Sequence, residues 1–338
     1  MGADMLVKDL IAAIEMHADP AQAADWDQSG MQVAGSKDEI NRLALTLDPQ
    51  PESIRKALEW NADFILTHHP LSLTPQLPNK NNDLHRIYSL LLQSGVGLYS
   101  AHTSLDVQTM GPVGWLAQAL GCTAIRPVQP IQEQARIWIC MDCSLLSPSA
   151  LDQIVTGSAC LEWTISDTEC CALTRESQAE QIVGILAENT DLELVRMVKT
   201  LSVQSQQGYG VLGRLPEPVS WTEMAQTLAG CLPCPAWTTT GSPPDSIQTL
   251  GYCPGSGMDF AAKAFAQGAD IYLSGDLKYH QAQQIEPLGL TLDVGHFALE
   301  EQMMAAWAKA LEHEFMDQDL KVVFIPGHNP MSLKTCLA

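Results

Sequence analysis

The sequence has few basic residues: 18 Lys and Arg stand against 39 Asp and Glu, which gives a formal net charge of −21. Non-specific binding to nucleic acid needs cations that neutralise phosphates. This charge balance therefore argues against that class of function. A nucleotide substrate remains compatible with it, because a bound metal ion supplies positive charge locally.

The chain also has no uncharged apolar run long enough to span a bilayer, which excludes a transmembrane helix. Residues 1–20 lack the basic start and the unbroken apolar core of a signal peptide. Leu6 occupies the position where a myristoylation signal has Ser or Thr. We therefore expect a cytoplasmic protein with no membrane partner.

Ten cysteines in a chain without a signal peptide predict reduced thiols rather than a disulfide framework. The two C-x-x-C pairs, Cys140/Cys143 and Cys231/Cys234, are too far apart to form a zinc ribbon. Cys140 and Cys143 also lie on a predicted strand, where positions i and i+3 face opposite sides. We interpret both pairs as small apolar residues. A redox or metal role stays open for the second pair, which lies in a predicted turn.

Alternating strand and helix patterns predict an α/β fold, with mostly parallel sheets in a two-lobed main domain. Strands are predicted at residues 42–47, 64–66 and 96–99, with a helix between each pair. Residues 135–206 depart from this pattern and read as a small unit of ferredoxin-like type that contains no histidine. The predicted division is therefore residues 1–132 and 208–338 for the main α/β domain, and residues 133–207 for an inserted module.

Residues of the kind that bind metals follow two of the predicted strands. His68 and His69 come directly after the strand that contains Phe64, and His102 and Asp106 follow the next one. Residues just past the carboxyl ends of neighbouring strands line one crevice in an open α/β sheet. We therefore expect these side chains to share a site. Two histidines beside a carboxylate suit a divalent cation better than a hydrophobic core.

The same arrangement occurs again near the end of the chain. His296 follows a predicted strand, and Glu300 lies four residues later, so a helix that begins at His296 places both on one face. Asp276 and His280 form a similar pair after the preceding strand. We expect this second pair at the rim of the same crevice.

The predicted metal ligands are His68, His69, Asp106, His296 and Glu300. The side chains of adjacent histidines diverge, so they suit two metal ions better than one, and the two carboxylates can bridge the ions. Two divalent cations about 4 Å apart activate a water molecule and stabilise a hydrolytic transition state. Nitrogen and oxygen ligands without thiolates permit zinc, iron, manganese, cobalt or nickel.

Two further features bear on phosphate binding. The backbone of Gly255-Ser256-Gly257, which precedes a predicted helix, either cradles a phosphate or forms only a tight turn. Lys278 is the basic residue among the site motifs and is the candidate side chain for the same task.

Five motifs in a fixed order resemble the NIF-three-like family: DWDQSGMQVAG, ILTHHPL, AHTSLD, DIYLSGDLKYH and DVGHFALE. Members of this family are often described as GTP cyclohydrolase I type 2. The resemblance implies a dinuclear metal site on the same five ligands, and a toroidal homohexamer built as a trimer of dimers. Residues 135–206 look like a shortened form of the PII-like insert that some members carry. The chain departs from the family at FIPGHNPM, which leaves His328 without an assignment.

Two classes of function stay open from the sequence. One is a metal-dependent hydrolase of a nucleotide or related small molecule, with opening of the purine ring of GTP as the reaction that the resemblance implies. His102, four residues before Asp106, is then the candidate catalytic base. The same position also suits a residue that orients a ligand. The other class is a non-catalytic metal-binding scaffold or metal-handling regulator.

Overall fold

The computed structural model describes residues 5–131, 136–142, 146–156, 160, 162–166, 168–175, 178–187, 195–199, 207–234 and 236–332. Contacts divide the chain into two compact units. The first comprises Met1–Pro130 with Gln206–Ala338, and the second comprises Ile131–Ser205. No helix in the described ranges is long and apolar enough to cross a membrane.

Eleven α-helices occur in the described part of the chain. They are α1 (Val7–His17), α2 (Pro51–Glu59), α3 (Asp83–Ser94), α4 (Thr103–Asp106), α5 (Trp115–Ala119), α6 (Pro148–Thr156), α7 (Ala179–Ala187), α8 (Trp221–Cys231), α9 (Ala261–Ala266), α10 (Tyr279–Ile285) and α11 (His296–Glu314).

Seventeen β-strands accompany them in the same described ranges. They are β1 (Met5–Leu6), β2 (Gly30–Val33), β3 (Glu39–Ile40), β4 (Arg42–Thr46), β5 (Phe64–Thr67), β6 (Gly97–Ser100), β7 (Thr123–Pro130), β8 (Arg136–Asp142), β9 (Glu162–Ile165), β10 (Glu169–Arg175), β11 (Arg196–Lys199), β12 (Gly208–Val219), β13 (Thr238–Thr240), β14 (Ile247–Tyr252), β15 (Ile271–Ser274), β16 (Leu290–Asp293) and β17 (Lys321–Phe324).

A five-stranded sheet in the order β17-β4-β5-β6-β2 carries the first half of the predicted site. The first four of these strands are parallel, and β2 pairs antiparallel with β6 at the edge. Every residue of β5 and β6 is buried, which is why both strands read as continuous apolar runs in the sequence. The predicted order of strand, helix, strand, helix and strand is confirmed for residues 42–100.

A six-stranded sheet in the order β13-β16-β15-β14-β12-β7 carries the second half. Strands β14, β15 and β16 are parallel, whereas β13, β12 and β7 join antiparallel. This sheet is therefore mixed, and the expectation of mostly parallel strands is not confirmed for it. Apolar patterning specifies which face of a strand is buried but not the direction in which its neighbour runs.

Helix α11 connects the cores of the two sheets. Met303 and Trp307 of this helix are buried in the same cluster as Leu66 of β5 and Leu273 of β15. The helix begins at His296 directly after β16. Leu299, in the first turn, is buried in the same cluster, and this packing positions the polar residues of that turn.

The second unit contains α6, α7 and a four-stranded antiparallel sheet in the order β11-β8-β10-β9. Two of these strands, β9 and β10, are consecutive in the chain and pair antiparallel. The chain reverses because the backbone N–H of Ser166 donates to the Glu169 carbonyl at 2.8 Å. Ile139, Ile154 and Ile182 are among the residues that form this unit's own hydrophobic core.

One disulfide corrects the expectation of reduced thiols. Cys140 and Cys171 are register partners on the antiparallel strands β8 and β10, and their sulfurs are bonded. The sequence could not show this pairing, because it arises from the register of two strands rather than from spacing along the chain. Cys143 lies outside the described residues. Cys231 and Cys234 are both free thiols, and no disulfide joins them.

We predict that the first unit folds without the second. Strands β7 and β12 flank residues 131–205 and pair antiparallel, with Pro130 opposite Gly208, so the two ends of the removed segment are adjacent. Replacing residues 131–206 by a short Asn-Gly-type hairpin turn should preserve one cooperative urea unfolding transition, followed by circular dichroism. Loss of cooperativity in the shortened chain, with the full chain as control, would contradict this prediction.

Candidate metal centre

The structure brings all five predicted ligands into one cluster in the first unit. His68 and His69 directly follow β5, and Asp106 is the last residue of α4, which follows β6. His296 and Glu300 occupy the first residues of α11, which follows β16. The expected meeting of residues from separate strand ends therefore occurs, although it involves two sheets rather than the edge of one.

The carboxylate of Glu300 lies among three imidazoles. Its Oε2 is 3.0 Å from His296 Nε2 and 3.3 Å from His69 Nε2, and its Oε1 is 3.6 Å from His68 Nε2. Asp106 approaches the same group, with its Oδ1 3.6 Å from His68 Nε2. Nitrogen and oxygen atoms thus converge on a common volume, which is the arrangement that a borderline divalent cation requires.

Each imidazole of the cluster donates its Nδ1–H to an oxygen acceptor, which fixes the ring and leaves Nε2 available to the centre. The pairs are His68 with the Ala101 carbonyl at 2.8 Å, His69 with Asp48 at 2.7 Å, His102 with Asp27 at 2.7 Å and His296 with Asp276 at 2.7 Å.

Asp48 and Asp27 were missed by the sequence reasoning. Asp48 stands just past the end of β4, so the rule that identified His68 after β5 would have found it. Asp27 lies in a loop and carries no such signal. It accepts hydrogen bonds from His102, from the Ser29 hydroxyl at 2.7 Å and from the Thr103 hydroxyl at 2.6 Å. Burial raises the pKa of Asp27, but these hydrogen bonds outweigh it and hold the pKa well below its ordinary value.

Of the pair predicted at the rim, only Asp276 reaches the cluster. It orients His296, and its backbone has a φ of 61°, a conformation that is uncommon outside glycine. His280 is exposed and contacts Gln283 at 3.2 Å. His328 is also exposed and belongs to none of the metal-type clusters among the described residues.

The charges of the cluster are strongly coupled. Burial lowers the pKa of His69, but the nearby carboxylates of Asp48 and Glu300 outweigh it and raise the pKa to about 10. Contact with Glu300 raises the pKa of His296 to about 9 against the effect of burial. Burial raises the pKa of Glu300, yet the surrounding imidazoles hold it well below its ordinary value. The imidazoles around Glu300 thus balance the negative charge of its carboxylate, which is the role that a bound cation would also fill.

Two buried atoms of the cluster lack a hydrogen-bond partner among the described residues: His68 Nε2 and Glu300 Oε2. His68 is fully buried and Glu300 is 4 % exposed, so both atoms are out of contact with bulk solvent. A buried polar atom without a partner costs about 1–3 kcal/mol. A divalent cation would satisfy both atoms, and the residues present therefore fit such an ion.

The Gly255-Ser256-Gly257 loop packs against this cluster. A Cβ atom at Gly255 would lie 2.2 Å from Glu300 Oε1, and the residue has a φ of +65°. The backbone N–H of Gly257 donates to the Ser274 hydroxyl at 2.8 Å, so it is engaged inside the protein. The loop provides space for the Glu300 carboxylate, which is a structural reason for glycine at Gly255.

A cleft of about 930 Å³ opens beside the cluster. Its lining includes four of the predicted ligands and His102 from the cluster, and aromatic side chains from elsewhere in the first unit. None of the described residues that line it is Lys or Arg. Lys278 is exposed and does not line the cleft.

Comparison of the sequence with known families gives one match across nearly the whole chain. The model of Duf34/NIF3 (NGG1p interacting factor 3) matches residues 5–330. A protein of Staphylococcus aureus strain COL, named GTP cyclohydrolase 1 type 2 homolog, is 24 % identical to this chain. That alignment covers 91 % of this chain and 93 % of the relative. A Staphylococcus epidermidis protein with the same name is also 24 % identical over 92 % of this chain and 96 % of its own.

Solved structures share the fold. The Staphylococcus aureus hypothetical protein SA1388 superposes with a TM-score of 0.77 and 21 % identity, over 99 % of this chain and 100 % of that one. A Bacillus cereus protein related to NIF3 gives a TM-score of 0.73 and 19 % identity, over 98 % and 100 % of the two chains. Reduced HcgD from Methanocaldococcus jannaschii gives a TM-score of 0.63 and 22 % identity, over 96 % of this chain and 99 % of that one.

The contact between Gly255 and Glu300 yields a prediction about metal content. In Gly255→Ala the added methyl group displaces the Glu300 carboxylate, so zinc bound per chain should fall sharply while the fold is retained. Gly268→Ala is the matched control, because Gly268 has a φ of +91° with nothing within 4 Å of an added Cβ. Both variants carry backbone strain of about 1 kcal/mol.

Zinc content is measured by mass spectrometry after loading and desalting, and folding by urea unfolding. Equal zinc content in the two alanine variants would show that Gly255 has no role at the cluster.

Proposed function

This chain belongs to the Duf34/NIF3 (NGG1p interacting factor 3) family, and from that premise we propose that its cluster binds two divalent metal ions in a metal-dependent hydrolase. The substrate class is a nucleotide or a related small molecule. The observation that carries the proposal is the pair of buried atoms without hydrogen-bond partners, His68 Nε2 and Glu300 Oε2, within a group of nitrogen and oxygen donors.

Two ions are proposed rather than one because the donor atoms form two overlapping groups. His69, His296 and Glu300 make up one group. His68, Asp106 and Glu300 make up the other, with His68 Nε2 3.6 Å from an oxygen of each carboxylate. Glu300 presents one oxygen toward His68 and the other toward His69 and His296, which suits a bridging carboxylate. Asp106 lies beside His68 and completes the proposed ligand set. Zinc, iron, manganese, cobalt and nickel are all compatible with these donors.

Two such ions, when bound, activate a water molecule and stabilise the charge that develops during hydrolysis. The protein's own contribution centres on His102. Its Nδ1–H stays bonded to Asp27, which holds the ring, so Nε2 is free to accept a proton. We propose His102 as the catalytic base on this geometry. A histidine held in this way by a buried carboxylate is also stabilised once it becomes protonated.

Opening of the purine ring of GTP is the specific reaction that we propose, on the basis of the relatives named GTP cyclohydrolase 1 type 2 homolog. In such a hydrolysis the water oxygen bonds to a ring carbon, a ring carbon–nitrogen bond breaks, and the released nitrogen takes a proton. Hydrolysis of a phosphoester is the alternative within the same class.

A non-catalytic metal-binding scaffold is the second candidate function. It is favoured by the weak provision for phosphate, since Lys278 is outside the cleft and the Gly257 N–H is engaged by Ser274. A scaffold would bind the ions without turning over any nucleotide.

We propose that residues 133–207 form a ferredoxin-like module of PII-like type that is separate from the metal centre. The strand order β11-β8-β10-β9, with one helix after the first strand and one after the third, supports this topology. None of the proposed ligands comes from this segment. Assembly as a toroidal hexamer and a cytoplasmic location stay predictions from the sequence.

The carboxylates should control metal content. We expect Glu300→Gln and Asp106→Asn, which preserve side-chain volume, to weaken zinc binding by more than about 100-fold, because each removes a charged ligand. His68→Ala should mainly weaken one of the two ions. His280→Ala serves as the control, since His280 lies outside the cluster. Zinc stoichiometry unchanged in both carboxylate variants would refute the assignment.

His102 should control turnover. With zinc fully loaded, we expect His102→Ala to lower the rate of GTP hydrolysis by about 10²- to 10⁴-fold, the range for loss of a general base. The product is followed by ultraviolet absorbance and mass spectrometry, and zinc content is measured on the same samples.

Loss of zinc from His102→Ala would identify the residue as a ligand instead of a base. If fully loaded wild type turns over nothing across a panel of nucleotides, the scaffold function replaces the enzyme.

A further inference from the structure

An aromatic surface forms part of the cleft beside the metal centre. Tyr209, on β12, and Phe260, in the short turn before α9, have ring planes only 8° apart and centroids 5.9 Å apart. Both line the same cleft as His296 and Glu300. Parallel aromatic side chains of this kind offer a flat apolar surface on which another planar ring can stack.

A third aromatic residue, Trp26, lines the cleft next to His102. The two rings meet edge to face, with centroids 5.9 Å apart and an angle of 75°. Trp26 is 58 % exposed, although burying a tryptophan side chain in the core would be favourable. Together with Tyr209 and Phe260, Trp26 gives the cleft three aromatic side chains, and ligand pockets are commonly lined by such residues.

The polar groups of the cleft favour an uncharged ligand with N–H donors. Three carboxylates line it, those of Asp106, Asp259 and Glu300, and its described lining contains no Lys or Arg. The Tyr209 hydroxyl makes no hydrogen bond to any described residue and is available to a ligand. Asp259 already accepts a bond from Gln281 at 2.7 Å through Oδ1, which leaves its other oxygen as an acceptor.

We propose that the cleft binds a planar, uncharged heteroaromatic ring, such as a purine base, by stacking on Tyr209, Phe260 and Trp26. The phosphates of a nucleotide then add little affinity, because the described lining of the cleft contains no Lys or Arg to pair with them. This inference rests on the proposed function and narrows it. A ring in this cleft lies beside the metal ligands, which favours ring opening over hydrolysis of a phosphoester.

The test uses zinc-loaded protein and three probes: guanosine, GTP and inorganic triphosphate, with dissociation constants from calorimetry. We expect guanosine and GTP to bind with affinities within about threefold of each other, and triphosphate not to displace guanosine. Tyr209→Leu and Trp26→Ala should each weaken guanosine binding by at least about 10-fold, the usual effect of removing a stacking ring.

Two controls isolate the stacking contribution. Tyr209→Phe retains the ring and loses the hydroxyl, so it should bind guanosine more tightly than Tyr209→Leu. Tyr279→Leu removes a 72 % exposed tyrosine that does not line the cleft, and it should bind guanosine like wild type. The exposure of Trp26 makes Trp26→Ala informative even if Tyr209→Leu fails to fold.

Displacement of guanosine by triphosphate, or wild-type guanosine affinity in Trp26→Ala, would overturn the inference. The zinc content of each variant distinguishes failure of the stacking inference from failure of the proposed function. Variants that bind zinc fully but bind guanosine unchanged refute only the stacking site. Wild-type protein that binds no zinc refutes the metal centre itself.

Discussion

The centre depends on one buried negative charge, that of Glu300. A carboxylate removed from water is costly unless positive partners surround it. Three imidazoles provide that compensation, and their own Nδ1 atoms are held by the Ala101 carbonyl, Asp48 and Asp276. The cluster is thus a network in which each member fixes the orientation of the next.

The acidity of the chain and the chemistry of its cleft are consistent with each other. A protein with a formal charge of −21 repels anions at long range, so attraction for an anionic substrate has to arise at the site itself. The described lining of the cleft has aromatic side chains and carboxylates but no Lys or Arg. We therefore propose ring stacking, and not charge steering, as the main source of ligand affinity in this cleft.

The two units differ in what they contribute to the site. All proposed ligands come from the first unit, in which both sheets and α11 share one core. The second unit has a separate core and is inserted at a point where β7 and β12 meet as antiparallel partners. A connection between adjacent strand ends tolerates insertion because the flanking backbone keeps its own hydrogen bonds. Similarity to solved structures establishes this architecture, whereas function has to be argued from the site.

The sequence by itself determined the strands that precede His68 and His102, the helix that begins at His296, and the five ligand-type residues. These features are local, since apolar runs and the residues that follow them are read along the chain. Only the tertiary structure decided that two sheets supply the cluster, that Asp27 and Asp48 hold His102 and His69, and that Cys140 pairs with Cys171. Each of these contacts joins segments distant in sequence, and their approach is set by strand register and core packing, which a single sequence does not encode in its local pattern.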